Sequence, residues 1–118
     1  MEKGKDIVER TFKFGVKIIN LAGFLPKTPA GLTIANQIIR SGTSVGANVE
    51  EAQGGLTKKE FIKSLSVALK EVRETKFWLR TAIESKNLSL SKAEKILKES
   101  EELTRILVTI IKKSKINL

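Results

Sequence analysis

The 118 residues contain neither cysteine nor histidine. Without cysteine the chain forms no disulfide and offers no thiolate to a metal, a composition suited to a reducing compartment, so a cytoplasmic location is expected. Without histidine it lacks the commonest catalytic general base, the imidazole ligand of zinc, and every Ser-His or Cys-His nucleophile pair. No enzyme active site, metal or other cofactor is expected. Long apolar runs are missing too. Lys or Glu interrupts nearly every segment long enough to cross a bilayer, and Met1-Glu2-Lys3-Gly4-Lys5-Asp6 has no apolar stretch behind its charges. Neither a membrane span nor a signal peptide is expected. The pattern contains no strand signal, no internal repeat and no low-complexity tract.

What is present is apolar and basic. Hydrophobic residues make up 41% and charged residues 30%, enough to build one core in a single domain over residues 1–118. The formal charge is +9. Such an excess favours a polyanionic partner such as RNA or DNA, or simply keeps the protein soluble.

Four segments carry helical periodicity. Over residues 6–25, Val8, Phe12, Ile19, Ala22 and Leu25, with Gly15 between, recur every three or four positions. Leu25-Pro26-Lys27-Thr28-Pro29 breaks this helix, and Thr28 before Pro29 reads as an N-cap with proline at the first helical position. Helix two is expected over 29–53, on Leu32, Ala35, Ile38, Ile39, Val45, Val49 and Ala52, until Gly54-Gly55. From Ala30 to Val49 its only charge is Arg40, while Gly31, Ser41, Gly42, Thr43, Ser44, Gly46 and Ala47 are small. Interior glycines each cost about 1 kcal/mol against alanine, so close neighbours on more than one side must hold this helix.

Thr57-Lys58-Lys59-Glu60 is a capping box that opens helix three (58–85), with a seam of Phe61, Leu65, Ala68, Val72, Thr75, Leu79 and Ala82. Ser91-Lys92-Ala93-Glu94 reads as a second box opening helix four (91–115), whose apolar face uses Ile96, Leu97, Leu103, Leu107, Ile110 and Ile111. Short links favour antiparallel neighbours, so the expected fold is all-α, an antiparallel up-and-down four-helix bundle. A three-helix core with helix one detached is the alternative.

Carboxylates in such a bundle raise the possibility of a di-metal site, with Glu50 or Glu51 facing Glu71 or Glu74, but the two Glu-x-x-His ligand pairs that such sites use cannot exist here. These acids are expected to pair with Arg40, Lys70 or Arg73, or to meet a partner. Gly42-Thr43-Ser44-Val45-Gly46 lacks the Gly-Lys-Ser/Thr ending of a phosphate loop, and close helix packing explains it better. The hydroxyls of Ser41, Thr43 and Ser44 have no adjacent base to activate them.

On helix three Lys59, Lys63, Lys70, Arg73 and Arg80 fall away from the apolar seam, with Phe77 among them. An aromatic ring within a basic stripe suits a base stacked between phosphate contacts; the same stripe also describes a solvated face with Phe77 against another subunit. Lys63, Lys70, Arg73, Lys76 and Arg80 are the candidate nucleic-acid contacts. Lys112, Lys113 and Lys115 at the end of helix four are accounted for by the helix dipole alone. Trp78, the single tryptophan, flanks the seam beside Glu71, Glu74 and Thr75, a place suited to a helix boundary or subunit interface. Arg40, Ser44, Asn48 and Glu51 of helix two, with Glu71, Thr75 and Trp78, are the candidate interface residues.

Leu25-Pro26-Lys27-Thr28-Pro29, the run from Asn36 through Gly46 to Asn48, Glu51-Ala52, Ala68-Leu69-Lys70-Glu71 and Glu74-Thr75-Lys76-Phe77-Trp78-Leu79 closely resemble the four-helix bundle family also called 23S rRNA-intervening-sequence proteins. The resemblance covers Leu25 to Leu88; the first and last helices match only in pattern. It implies a small prokaryotic protein without established enzymatic activity, some relatives of which are encoded inside intervening sequences of large-subunit ribosomal RNA genes. The chain is similar, more distantly, to the accessory variability determinant of diversity-generating retroelements, which implies a basic, barrel-like homopentamer that binds nucleic acid and a reverse transcriptase. A ring would also pool the charge of its subunits, so that weak phosphate contacts act together. A protein adaptor or scaffold with no nucleic-acid role is the rival expectation.

Overall fold

The structure, a computed structural model, describes residues 3–55 and 57–116; the ends of the expected domain, residues 1–2 and 117–118, lie outside the described residues. Four helices follow one another, α1 (Lys3–Ala22), α2 (Pro29–Gln53), α3 (Lys58–Glu84) and α4 (Leu90–Ile116). No strand occurs among the described residues. None of the described helices is long and apolar enough to cross a membrane.

Local chemistry sets most of the boundaries. Thr28 is extended and its hydroxyl accepts the Gly31 N–H at 3.1 Å, with Pro29 at the first position of α2. The Thr57 hydroxyl accepts the Glu60 N–H at 3.1 Å and donates to the Glu60 carboxylate at 3.0 Å. Each such cap contributes about 1 kcal/mol. The expected box at Ser91 and Glu94 does not form. Helix α4 begins at Leu90, and the Ser89 carbonyl receives the N–H groups of Lys92 (3.2 Å) and Ala93 (3.3 Å), so Ser91 is already inside the first turn. Helix α1 ends at Ala22 rather than Leu25, its last turn tightening as Phe24 and Leu25 donate to Leu21 and Ala22 at 3.0 and 3.2 Å. At the end of α3, Lys86 takes a left-handed φ of 63° while its N–H reaches Ile83 and that of Asn87 reaches Ala82. These two bonds make a Schellman turn, which usually carries glycine at that position.

Each helix packs on its chain neighbours and α1 also meets α4, while no Cα atoms of the diagonal helices come within 8 Å. Gly42 lies against Ile18 and Gly46 against Thr11, Arg10 pairs with Glu99, and Lys92 covers Phe24. Rising numbers on one helix meet falling numbers on the other, so both of α1's contacts are antiparallel. The result is an up-down-up-down bundle of 47 × 21 × 20 Å, its long axis set by helices of 27 residues, which span about 40 Å.

The core runs along one stripe of each helix. On α1 the stripe is Ile7, Thr11, Phe14, Ile18, Leu21 and Leu25, an unbroken three-four spacing. This rotates α1 by about one residue from the expected face: Phe12 (58% exposed) and Ile19 (49%) point to solvent, and Val8 is only partly buried. Two apolar rows lie side by side on α1, and a helix at the corner of a bundle buries only one of them. Smaller corrections have the same origin. Ile34 rather than Leu32 enters the core of α2, and Ile62 rather than Phe61 starts the buried row of α3.

The small residues of α2 are largely used within the chain. A Cβ on Gly46 would lie 3.0 Å from the Thr11 carbonyl oxygen, and one on Gly42 would lie 2.8 Å from an Ile18 methyl. Only glycine at these positions lets α1 approach so closely. On the other side, the buried hydroxyls of Ser41 and Thr75 sit 2.8 Å apart, and Thr75 donates to the Glu71 carbonyl at 2.8 Å. Among the described residues no buried side-chain nitrogen or oxygen lacks a partner, so none of these groups weakens the bundle.

Candidate functional site

The buried row of α3 leaves positions 63, 66, 70, 73, 77 and 80 on the opposite face, where the same three-four spacing draws a straight outer line. Lys63, Lys70, Arg73 and Arg80 occupy this line, exposed, over about 26 Å of helix. Among the described residues none of the four makes an ion pair, and neither does Lys59 one turn earlier. Phe77 stands between them, 58% exposed, its ring edge-on to Trp78 at 5.2 Å. Lys76, expected in the same set, leaves the line. It is partly buried on the α4 side and bridges to Glu101 at 3.1 Å.

The candidate interface residues gather on the seam between α2 and α3, with one exception. Arg40 reaches Glu71 at 3.4 Å and also hydrogen-bonds Glu74, whose carboxylate holds the guanidinium above its usual range, with Glu71 adding to the effect. Ser44 donates to the Arg40 carbonyl at 2.6 Å and Asn48 to the Ser44 carbonyl at 2.8 Å. Glu51 is exposed at one end of this row, and Trp78 is half-buried on α3, one turn beyond Glu74. Thr75 is the exception: fully enclosed in the subunit's own core, it has no surface to offer another copy.

Of the acids considered for a metal, Glu71 and Glu74 are taken by Arg40 and Glu50 is exposed on the α1 side of α2. Among the described residues no group of three or more metal-ligating side chains comes together. Gly42 to Gly46 lies inside α2 and faces α1, with no anion-facing loop.

Two further surfaces were not anticipated from the sequence. Phe12, Val16 and Ile19 form an exposed apolar strip on α1 that walls a groove of about 290 Å³ with Thr43, Gly46 and Ala47 of α2. Phe12 and Ile19 were read as core, and Val16 between them was not singled out. A second cavity, of about 280 Å³, opens between α1 and α4 beside Phe24, whose ring carries the Lys92 ammonium at 4.0 Å. Such exposed cation–π contacts contribute about 0.5–1 kcal/mol. Its residues are distant in sequence, so no local motif marked it.

The α2 to α3 region that carries these features is also where the resemblance to a known family is densest, and comparison with known proteins extends it over nearly the whole chain. A family model described as 23S rRNA-intervening sequence protein matches residues 3–109. The chain is similar to a crystal structure from Bacteroides thetaiotaomicron VPI-5482, a protein described as of unknown function from the S23 ribosomal protein family. Identity is 36% over 94% of this chain and 99% of that one, with a TM-score of 0.87. None of the curated proteins matches. With the family model and the shared fold both spanning nearly the whole chain, the chain belongs to the 23S rRNA-intervening sequence protein family.

Proposed function

We propose that this protein is a non-enzymatic, cytoplasmic, ring-forming bundle, a pentamer by resemblance, that binds RNA or DNA through backbone charge with little sequence selectivity. The observation that carries the reading is the outer line of α3: Lys63, Lys70, Arg73 and Arg80 are exposed, in register and without carboxylate partners among the described residues. Exposed cations in a row contact phosphates without reading bases, and Phe77 offers one stacking face to an unpaired base. Lys76 contributes less, because Glu101 already balances it.

Self-association is supported by the strip of Phe12, Val16 and Ile19, since large apolar side chains exposed in a contiguous row favour burial against another surface. The polar row of Arg40, Ser44, Asn48, Glu51, Glu71 and Trp78 has most of its bonds satisfied inside the subunit and suits the rim of such a contact better than its centre. A protein partner such as a reverse transcriptase on the same apolar strip is the second reading. Light scattering coupled to size exclusion separates the two. Five copies of a 13.1 kDa chain weigh about 66 kDa, and a 13 kDa species in the absence of partner sinks the ring.

Nucleic-acid binding is tested by filter binding across a salt series. Affinity should fall with a log–log slope of about −0.9 per duplex phosphate contacted. Arg73→Glu together with Arg80→Glu should abolish it. Binding that ignores both salt and these charges removes α3 as the contact surface.

A further inference from the structure

The cavity between the C-terminal half of α1 and the N-terminal half of α4 combines an apolar floor with a cluster of lysines. Its floor is apolar, made by the buried side chains of Leu21 and Ile96, and the exposed ring of Phe24 forms one wall. Around its mouth stand three lysines, Lys17 from α1 and Lys92 and Lys95 from α4. Among the described residues none of the three has a carboxylate within ion-pairing distance. The one carboxylate that lines the cavity, Glu99, is held by the fork of Arg10 through bonds of 2.7 and 3.1 Å. The cavity is therefore left strongly positive. Its position adds to this: the first turn of α4 contains no acid, and a lysine there opposes the helix dipole.

These features select a ligand class. A small inorganic anion would satisfy the lysines and leave the apolar floor and the ring unused. A neutral apolar ligand would fill the floor and leave three cations without a partner. A flat aromatic body joined to a dianion uses both. We infer that this cavity binds a nucleoside phosphate, the base lying against Phe24 over Leu21 and Ile96, and the phosphate among Lys17, Lys92 and Lys95. Lys92 now covers the ring. On binding it exchanges a weak contact with the ring for a charge-assisted bond to phosphate and uncovers the stacking face. The ligand is either a free mononucleotide or the phosphorylated end of a strand; both present the same chemistry. The site is independent of the α3 line, since none of the residues that line it belongs to α3.

The test is a titration of the uniformly ¹⁵N-labelled full chain, followed by amide shifts. AMP should perturb the amides of Asn20 to Leu25 and of Lys92 to Ile96, and bind at least about tenfold more tightly than adenosine or inorganic phosphate alone. Phe24→Leu and the pair Lys92→Gln with Lys95→Gln should each weaken AMP by about tenfold. These side chains are exposed, so circular dichroism should show the helices intact. Millimolar AMP that leaves these amides unmoved overturns the site, and phosphate alone binding as tightly as AMP overturns the ligand class. In the Arg73→Glu, Arg80→Glu background, a 5′-phosphorylated oligonucleotide that outcompetes its 5′-hydroxyl twin upholds the site as a strand-end site. Equal competition, with AMP still bound, upholds it as a mononucleotide site.

Discussion

Helix α1 lies almost backbone to backbone on α2, where Gly42 and Gly46 leave no room for a side chain, whereas it meets α4 across the thinnest seam of the bundle, through an Arg10–Glu99 fork and a lysine over a ring. The first contact is steric and has no slack. The second is polar and open enough to leave a cavity. At Gly42 and Gly46 close packing fixes how near α1 lies to α2, while at the α1–α4 rim charged side chains hold a cavity open.

The largest expected effect comes from breaking the tight side. Gly46→Leu pushes a side chain into the Thr11 carbonyl, a backbone atom that cannot rotate away. Urea denaturation should show a loss of about 3 kcal/mol or detachment of α1; a loss below about 1 kcal/mol would mean the seam is looser than described. On the open side Arg10→Met should cost about 1 kcal/mol or less, since the pair it removes is partly solvated, with side chains 30% and 25% exposed. Gly15→Ala sharpens the comparison within the tight seam. Its Cβ would stand 3.4 Å from the Thr43 backbone, ordinary contact, so the helix-propensity gain survives and stability should rise by about 0.5 kcal/mol.

The smallest effect concerns pH. The hydrogen bond and charge of Arg105 hold the Glu102 carboxyl below its usual range, with a minor contribution from Arg10. Its folded value lies below the unfolded one, so its stabilisation is present above the ordinary glutamate range and is lost as pH falls through the folded value. An NMR titration should find Glu102 restored toward the ordinary value by Arg105→Met and moved slightly the same way by Arg10→Met. No movement with Arg105→Met would contradict the pairing at 2.5 Å.

Much of the fold was legible. The caps at Thr28 and Thr57 are local, decided by one hydroxyl and the next three residues, and both helices start where the sequence places them. The α3 line was legible for the same reason, because a single helix sets which residues share a face. Lys76 was grouped with this line although the same periodicity sets it beside buried Thr75, on the flank where Glu101 of α4 meets it. Thr75 was read rightly as part of the α3 seam, and its second reading as an interface residue fails because it is enclosed against Ser41, 34 positions away. Helix α1 was rotated because its two apolar rows are equivalent until a neighbour chooses between them.

By itself the sequence determined that four helices form, roughly where each begins and ends, and that one of them carries a basic face, since these follow from spacing and capping within about one or two turns. Only the tertiary structure decided which row of α1 is buried, which glycines are contact points, and that Phe24 and three lysines from two helices share one cavity. The physical reason is that side-chain periodicity names the faces of a helix but not its neighbours. Packing α1 against both α2 and α4 assigns each face its role.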